Sequence, residues 1–315
     1  MPPQVMEAVP NFSEGRDRRV IEAIVAAVTA AGAEVWDWSM DADHHRSVVT
    51  FAGTSAQVER AVLAAAVVAC ERIDLRRHRG LHPRIGALDV VPIVPLAGAD
   101  MADARVLARR IGHSLASELG VPVYFYGEAS EPPGRELAEL RRGGFETLAA
   151  GWPIQRTPDI IPADWLHPGA HPSAGATCVG ARPVLLAWNV WLDGVAAADA
   201  ATIAQELRER GGGFRGLRAL ALTLPERGSV QLSMNLEDLE AVSPLEVFTH
   251  IEARVQALGG RLTQTEVIGM IPDQLALAAA ADRFKLTDAT RARLLTARLA
   301  EHVLGRTTAT SADQG

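Results

Sequence analysis

Two tandem split β-α-β subdomains, an α/β (α+β) fold of mixed sheets with helices on the outer faces, are what this sequence predicts. Three observations carry the prediction. Apolar residues switch between strand-like alternation and helical spacing in the order β-α-β-β-α-β. The same order recurs in the second half of the chain. Between the halves runs a poorly periodic connector, 153–175, with prolines at 153, 158, 162, 168 and 172. A chain of 315 residues is also long for a single core, which favours two subdomains.

In the first half, a short strand around Val5 to Val9 precedes a helix from about Asp17 to Ala31, which Gly32 is placed to end. Strands at Ala33 to Trp38 and Ser47 to Gly53 are rich in Val, Trp, Thr and Phe, with the polar stretch Asp41-Ala42-Asp43-His44-His45 between them. A second helix, serine-capped, runs from Ser55 to about Arg72, and a strand at Val90 to Val94 completes the unit. An Asp100-capped helix to Leu119, closed by Gly120, and a buried strand from Val121 to Tyr126 are added to it. The second half reads as strand Val184 to Leu192, helix Ala196 to Arg210, strands Leu217 to Leu224 and Ser229 to Asn235, helix Leu245 to Leu258 and strand Arg261 to Val267. Both halves thus have ferredoxin-like order, with subdomains expected at 1–180 and 181–305 and a frayed tail at 306–315.

Composition narrows the function classes. A net charge of −7 argues against nucleic-acid binding through a basic surface. No apolar run is long enough to span a bilayer and the first residues do not resemble a signal peptide, so no membrane partner and a cytoplasmic location are expected. Cys70 and Cys178 are too few for a disulfide framework or a thiolate zinc site and read as small buried fillers. Lys285 is the only lysine, so Schiff-base chemistry would have to use it.

Arg76 to Asp89 is the most informative stretch. It lies between a helix ending near Ile73 and the strand beginning at Asp89, and a connection of that length inside a compact domain is usually functional or disordered. Leu75, Leu81, Ile85 and Leu88 are apolar anchors that argue against disorder, and Pro83 holds His82 in extended backbone. Arg72 to Arg84 carries five arginines against one aspartate, a local site for a small anion. A histidine fixed among cations is suited to proton transfer or to holding an anion. Three further polar segments sit at element ends: Val9 to Gly15, where Asn11 or Ser13 can cap a helix; Asp37 to Arg46; and His167 to Arg182. His44, His45, His78 and His82 match no metal-ligand spacing, so no metal is expected.

Seven motifs in register resemble the formiminotransferase domain of the formimidoyltransferase-cyclodeaminase family. They are Val9-Pro10-Asn11-Phe12-Ser13-Glu14-Gly15, Asp43-His44-His45-Arg46-Ser47-Val48, His82-Pro83-Arg84-Ile85-Gly86-Ala87-Leu88-Asp89, Pro122 to Ala129, Gly175-Ala176-Thr177 with Gly180-Ala181-Arg182, Val230 to Asn235, and Ile268-Gly269-Met270-Ile271-Pro272. The resemblance spans roughly residues 5 to 285. Two positions depart from it: His45 stands where the family usually places an asparagine, and Ser39 where some members carry an acid.

The resemblance implies transfer of a formimidoyl group from N-formimidoyl-L-glutamate to N5 of tetrahydrofolate, a step of histidine degradation and one-carbon metabolism. Tetrahydrofolate is then a co-substrate, no metal takes part, and a homodimer is the common family state. The chain ends where bifunctional relatives continue into a cyclodeaminase domain, which implies a monofunctional form. His82 matches the family's catalytic histidine. Asn11, Asp37, Asp41, Asp43, His45, Arg46 and Arg84 fall at substrate-binding positions, the acids facing the cationic amidine and the arginines the carboxylates. The folate-binding segment maps onto Leu166, His167, Pro168, Gly169, Ala170, His171, Pro172, Ser173, Ala174 and Gly175. A related enzyme using a formyl donor, or a non-catalytic folate-binding paralogue, are the alternatives.

Overall fold

A computed structural model describes residues 4–224, 228–285 and 294–295. These divide at Pro183/Val184 into two compact units. The tail expected at 306–315 lies outside the described residues.

The first unit contains β1 (Met6–Ala8), β2 (Asn11–Phe12), α1 (Arg18–Ala30), β3 (Glu34–Asp41), β4 (Arg46–Gly53), α2 (Ser55–Arg72), β5 (Leu88–Pro95), α3 (Met101–Leu119), β6 (Val123–Gly127), the short helices α4 (Leu137–Leu140) and α5 (Gly144–Ala150), and β7 (Thr177–Ala181). β1 and β2 are two pieces of one strand, interrupted at Val9-Pro10, and both pair antiparallel with β4 and β5. The order β3-β4-β1/β2-β5 is the split β-α-β arrangement. β7 and β6 extend it with parallel pairings beyond β5.

Strand alternation divides the apolar residues between two faces. Val91, Val123, Phe125 and Val179 join α1, α2 and α3 in the main core. Val90, Tyr124, Tyr126 and Cys178 point the other way, into a smaller core with Leu140, Leu148 and Ala170 from α4, α5 and the connector. Cys178 is the buried filler expected, whereas Cys70 is only half-buried.

Helix ends follow their caps. Asp17 accepts the Arg19 amide at the start of α1, so neither Asn11 nor Ser13 serves there. Thr54, not a serine, caps α2 through a reciprocal box with Gln57, which makes Ser55 the first helical residue. Asp100 and Gly120 close α3 as predicted. β3 runs past Trp38 to Asp41 because its ladder with β4 continues to Arg46, and the chain reverses through the turn 42–45, with His45 at φ 51°.

The second unit contains β8 (Leu186–Asp193), α6 (Ala197–Leu207), β9 (Leu217–Leu224), β10 (Ser229–Leu236), α7 (Pro244–Ala257), β11 (Arg261–Ile268) and α8 (Asp273–Phe284). Its four-stranded sheet has the order β11-β8-β10-β9, the same topology as the first unit before extension. α6 stops short of Arg210 because Arg208 turns extended and gives its side chain to the Ala219 carbonyl, leaving a 3-10 turn at Glu209–Gly211. Among the described residues no helix is long and apolar enough to cross a membrane.

Gly175, just before β7, packs the connector against Ile85 in the loop that leads into β5. Its φ is +74°, and a Cβ there would lie 2.0 Å from the Ile85 carbonyl oxygen. Gly175→Ala is expected to destabilise the first unit by more than about 2 kcal/mol, from left-handed strain plus a backbone clash that no rotamer relieves. A denaturant midpoint within error of the parent's would show that the connector does not hold this register.

Candidate active site

Three segments converge where β2, β4 and β5 meet. Ser13 donates its amide to the Ala87 carbonyl at 2.9 Å and its hydroxyl to the Gly86 carbonyl at 2.7 Å. The Ala87 amide donates to Ala174 and the Ala176 amide to Ile85, so the connector zips along the end of the histidine loop. Asp89, buried at the start of β5, accepts the amides of Ile85 at 2.7 Å and Gly86 at 3.1 Å with one oxygen. Its other oxygen accepts a very short bond from Arg141.

Leu75, Ile85 and Leu88 anchor the loop as expected, but Leu81 does not: its side chain is 46% exposed. The loop is held at that point by backbone instead, the Leu81 amide donating to the Asp43 carbonyl at 3.2 Å. Gly80 allows the approach, since a Cβ there would lie 2.4 Å from the His44 carbonyl oxygen.

The four imidazoles gather here but occupy different environments. His78 is buried and its Nε2 donates to the His45 carbonyl at 2.8 Å. Burial, the largest cause, with the nearby His45 and Arg84 lowers its pKa to about 4, against a smaller rise from that hydrogen bond and Glu14. His45 stacks on it, centroids 4.2 Å apart. One His45 nitrogen faces the Arg79 carbonyl at 3.0 Å and the other the Glu14 carboxylate at 3.3 Å. Burial alone would raise the Glu14 carboxyl, but hydrogen bonds from His45, the Asp17 amide and the Arg16 amide lower it to about 2. At position 45, where the family usually places an asparagine, these contacts are made by imidazole nitrogens.

His82 is half-buried and its Nε2 lies 2.7 Å from Arg46 Nη1. A guanidinium only donates, so this nitrogen accepts and the ring is neutral. Burial first, then the charges of Arg46 and Arg141 and the neighbouring His44, hold its pKa well below the usual histidine range; a backbone hydrogen bond at Pro83 opposes them weakly. His44 is buried, with its ring centroid 6.1 Å from that of His82.

The other candidates fall into three groups. Asp41 accepts the His44 amide at 2.8 Å, and Asp43 is buried in the same turn, so both acids lie beside the imidazoles. Arg84 reaches a different partner, Glu146 on α5, through two bonds of 3.1 and 2.7 Å. Asn11 turns its amide to the Val9 carbonyl, and Asp37 lies mid-strand opposite Thr50, about 13 Å of extended chain from Asp41. Within the connector, Gly169, Ala170, Ala174 and Gly175 are buried, while His171 accepts the Ser173 and Ala174 amides. Leu166, 91% exposed, His167 and Pro168 are presented outward, with Trp165, His167 and His171 in mutual ring contact. No cluster of metal-ligating side chains occurs among the described residues.

Asp89, Arg141, Glu14 and Glu146 were not among the sequence candidates. Asp89 and Glu14 stood inside quoted motifs, but Arg141 and Glu146 meet their partners across 52 and 62 residues, a separation with no local signal.

Comparison with known proteins finds two family matches: the formiminotransferase domain, N-terminal subdomain, over residues 5–182, and the formiminotransferase domain over residues 187–303. A glutamate formimidoyltransferase of Streptococcus pyogenes serotype M1 is 35% identical over 271 residues, covering 85% of this chain and 89% of that protein. One of Thermoplasma acidophilum is 35% identical over 276 residues, covering 86% and 89%. A formimidoyltransferase-cyclodeaminase of Sus scrofa is 38% identical over 315 residues, covering 94% of this chain and 56% of that protein.

The buried groups set an acid limit. An unfolded histidine takes up its proton near pH 6.5, whereas folded His78 does so at about 4. Its contribution to stability is therefore complete above that upper value and lost as pH falls toward the lower one. Glu14 acts in a lower window, complete above its ordinary value of 4.5 and lost as pH falls toward 2. The denaturation midpoint is expected to drop across both windows, and His78→Gln to lose part of the upper decline while His82 and His171, whose pKa values burial also lowers, supply the rest. A His78→Gln protein that keeps the full decline between pH 6.5 and 4 would overturn this assignment.

Proposed function

The chain belongs to the formiminotransferase family, and from that premise we propose that it transfers the formimidoyl group of N-formimidoyl-L-glutamate to N5 of tetrahydrofolate, releasing L-glutamate and 5-formimidoyltetrahydrofolate. The observation that carries this reading is a neutral His82 whose accepting nitrogen is held by Arg46 at 2.7 Å. In the reaction the N5 amine attacks the amidine carbon and loses a proton, and the carbon–nitrogen bond to glutamate breaks as that nitrogen gains one. A single base that accepts and returns the proton balances both steps, and an imidazole suits it.

With Arg46 on its Nε2, His82 is too weak a base to act. A substrate carboxylate offers the guanidinium a better acceptor, with two oxygens matching its fork. Drawing Arg46 away frees the lone pair and removes a nearby positive charge, so base strength rises when the donor is in place. Asp41 and Asp43, beside His44, are the acids assigned to the cationic amidine. Arg84 pairs with a second carboxylate by exchanging it for Glu146, whose side chain is 63% exposed. The segment Leu166 to Gly175 is assigned to folate, with its rigid buried half locked to the His82 loop and its apolar and aromatic half facing outward. This chemistry moves protons rather than electrons, so the reaction is placed without a metal.

Incubation with tetrahydrofolate and either N-formimidoylglutamate or N-formylglutamate, with product identification, tests the donor. Product is expected from the formimidoyl donor, undiminished by chelator; activity lost in chelator and restored by zinc would contradict the proton-only scheme. His82→Asn is expected to lower kcat by roughly 10²–10⁴-fold with little change in folate affinity. A folded His82→Asn protein retaining more than about a third of turnover would exclude His82 as the essential acid–base group.

A further inference from the structure

His45 closes the turn between β3 and β4 at φ 51°, where the family usually places an asparagine. Both residue types tolerate that left-handed backbone, so the backbone does not account for the imidazole. Its two nitrogens do. One lies 3.0 Å from the Arg79 carbonyl oxygen and the other 3.3 Å from the ionised Glu14 carboxylate, and neither of those groups can donate. A neutral ring carries a single N–H, so one of the two contacts would set a lone pair against an oxygen. Only the imidazolium, with both nitrogens protonated, satisfies both.

The charged and titratable groups around the ring suit a cation. His45 is 11% exposed at its side chain, and Glu14 supplies the opposite charge from the segment ahead of α1. Arg16, in the same segment, gives its side chain to the Ala42 carbonyl. On the His82 loop, the ring stacks at 9° on neutral His78, whose electron-rich face is a favourable neighbour for a positive charge. Arg79 turns its guanidinium to the carbonyls of Arg76 and His78, and Arg84 is the further cation felt by the stacked pair. Asp41, Asp43, His44 and Arg46 complete the set on the turn itself.

His45 joins the two segments that carry the proposed chemistry. The loop meets the turn at three bonds: His45 Nδ1 to the Arg79 carbonyl, His78 Nε2 to the His45 carbonyl, and the Leu81 amide to the Asp43 carbonyl. Arg46 follows His45 directly and His82 comes three residues after Arg79, so these bonds close beside the 2.7 Å contact between Arg46 and His82. Histidine changes its charge between about pH 5 and 8. Across that range Glu14 stays ionised and His78 neutral, since they titrate at about 2 and about 4.

We propose that His45 is a positioning residue: as an imidazolium it latches the His82 loop onto the turn that carries Arg46, and loss of one ring proton opens the latch. The charge and its titration stand apart from the formimidoyl-transfer reading; their effect on turnover rests on it.

Nitrogen-15 spectra of the histidine-labelled full chain, with His45 assigned by its disappearance in His45→Asn, test the charge. On the acid side of the titration both ring nitrogens are expected to carry protons, and a single tautomer to replace them as pH rises. Hydrogen-exchange protection of the Leu81 amide, corrected for base catalysis, is expected to fall in step. Over the same span kcat/KM for formimidoyl transfer is expected to fall at least about tenfold, the typical effect of losing one hydrogen bond between charged groups. His45→Asn, which donates without titrating, is expected to lose that dependence. A His45 ring with one protonated nitrogen throughout the range overturns the latch, whatever the variant does. An alkaline decline that persists in His45→Asn belongs to another group, His44 first among them, and overturns the positioning role. A wild-type protein that transfers no formimidoyl group overturns the functional reading instead, and the spectra and the Leu81 amide then decide the latch.

Discussion

The Asp89 carboxylate is the constraint on which the rest of the candidate site depends. It is buried, and a charge in that position is tolerated only when it is paired and fully hydrogen-bonded. Two amides from Ile85 and Gly86 and the Arg141 guanidinium meet that demand together. Withdrawing any one of them leaves an uncompensated charge, so the three cannot drift apart independently. The same residues 85–87 accept Ser13 and exchange bonds with the connector. One carboxylate therefore fixes the meeting point of β2, the His82 loop and the connector, and Arg141, drawn in to balance it, becomes one of the charges that set the basicity of His82.

Four histidines close together make the environment, rather than the residue type, decide what each does. His78 is held neutral by burial, which outweighs the rise from its hydrogen bond to the His45 carbonyl. His45 bridges a carbonyl and a carboxylate and belongs to the scaffold of the turn. His82 presents a lone pair to an arginine side chain beside the acidic turn. In the stacked pair His45–His78, both His45 nitrogens and His78 Nε2 are turned to protein oxygens.

Local signals made most of the fold legible. Periodicity and caps placed α1 through α3, and β9 was read to its residue limits, because strand alternation and capping chemistry act within a few residues. The misreadings are of a different kind. Ser55 and Thr54 are both capping types, and only the reciprocal bond with Gln57 distinguishes them. Leu81 looked like an anchor by hydrophobicity, but the loop at that point is tied by a backbone amide, which sequence does not reveal. Glu146, which Arg84 holds through two bonds, is 62 residues away in the chain, and that pairing is a tertiary fact. The parallel addition of β7 and β6 was hidden for the same reason: a connector without periodicity lies between them.

The two units share a topology and load it differently. In the first, polar chemistry sits on turns at strand ends, where loops can adopt the backbone that close approach requires, and the sheet beneath is apolar on both faces. In the second, polar residues lie on the sheet itself, in registered rows of Gln231, Asn189, Ser233 and Glu266. A rigid strand face positions a side chain more narrowly than a loop but cannot relax around an unmet hydrogen bond, and the Gln231 amide is buried there without a partner among the described residues. Loops suit a base that must exchange partners during turnover. A sheet suits groups that must stay in one arrangement, and the register of β8, β10 and β11 holds these rows in place.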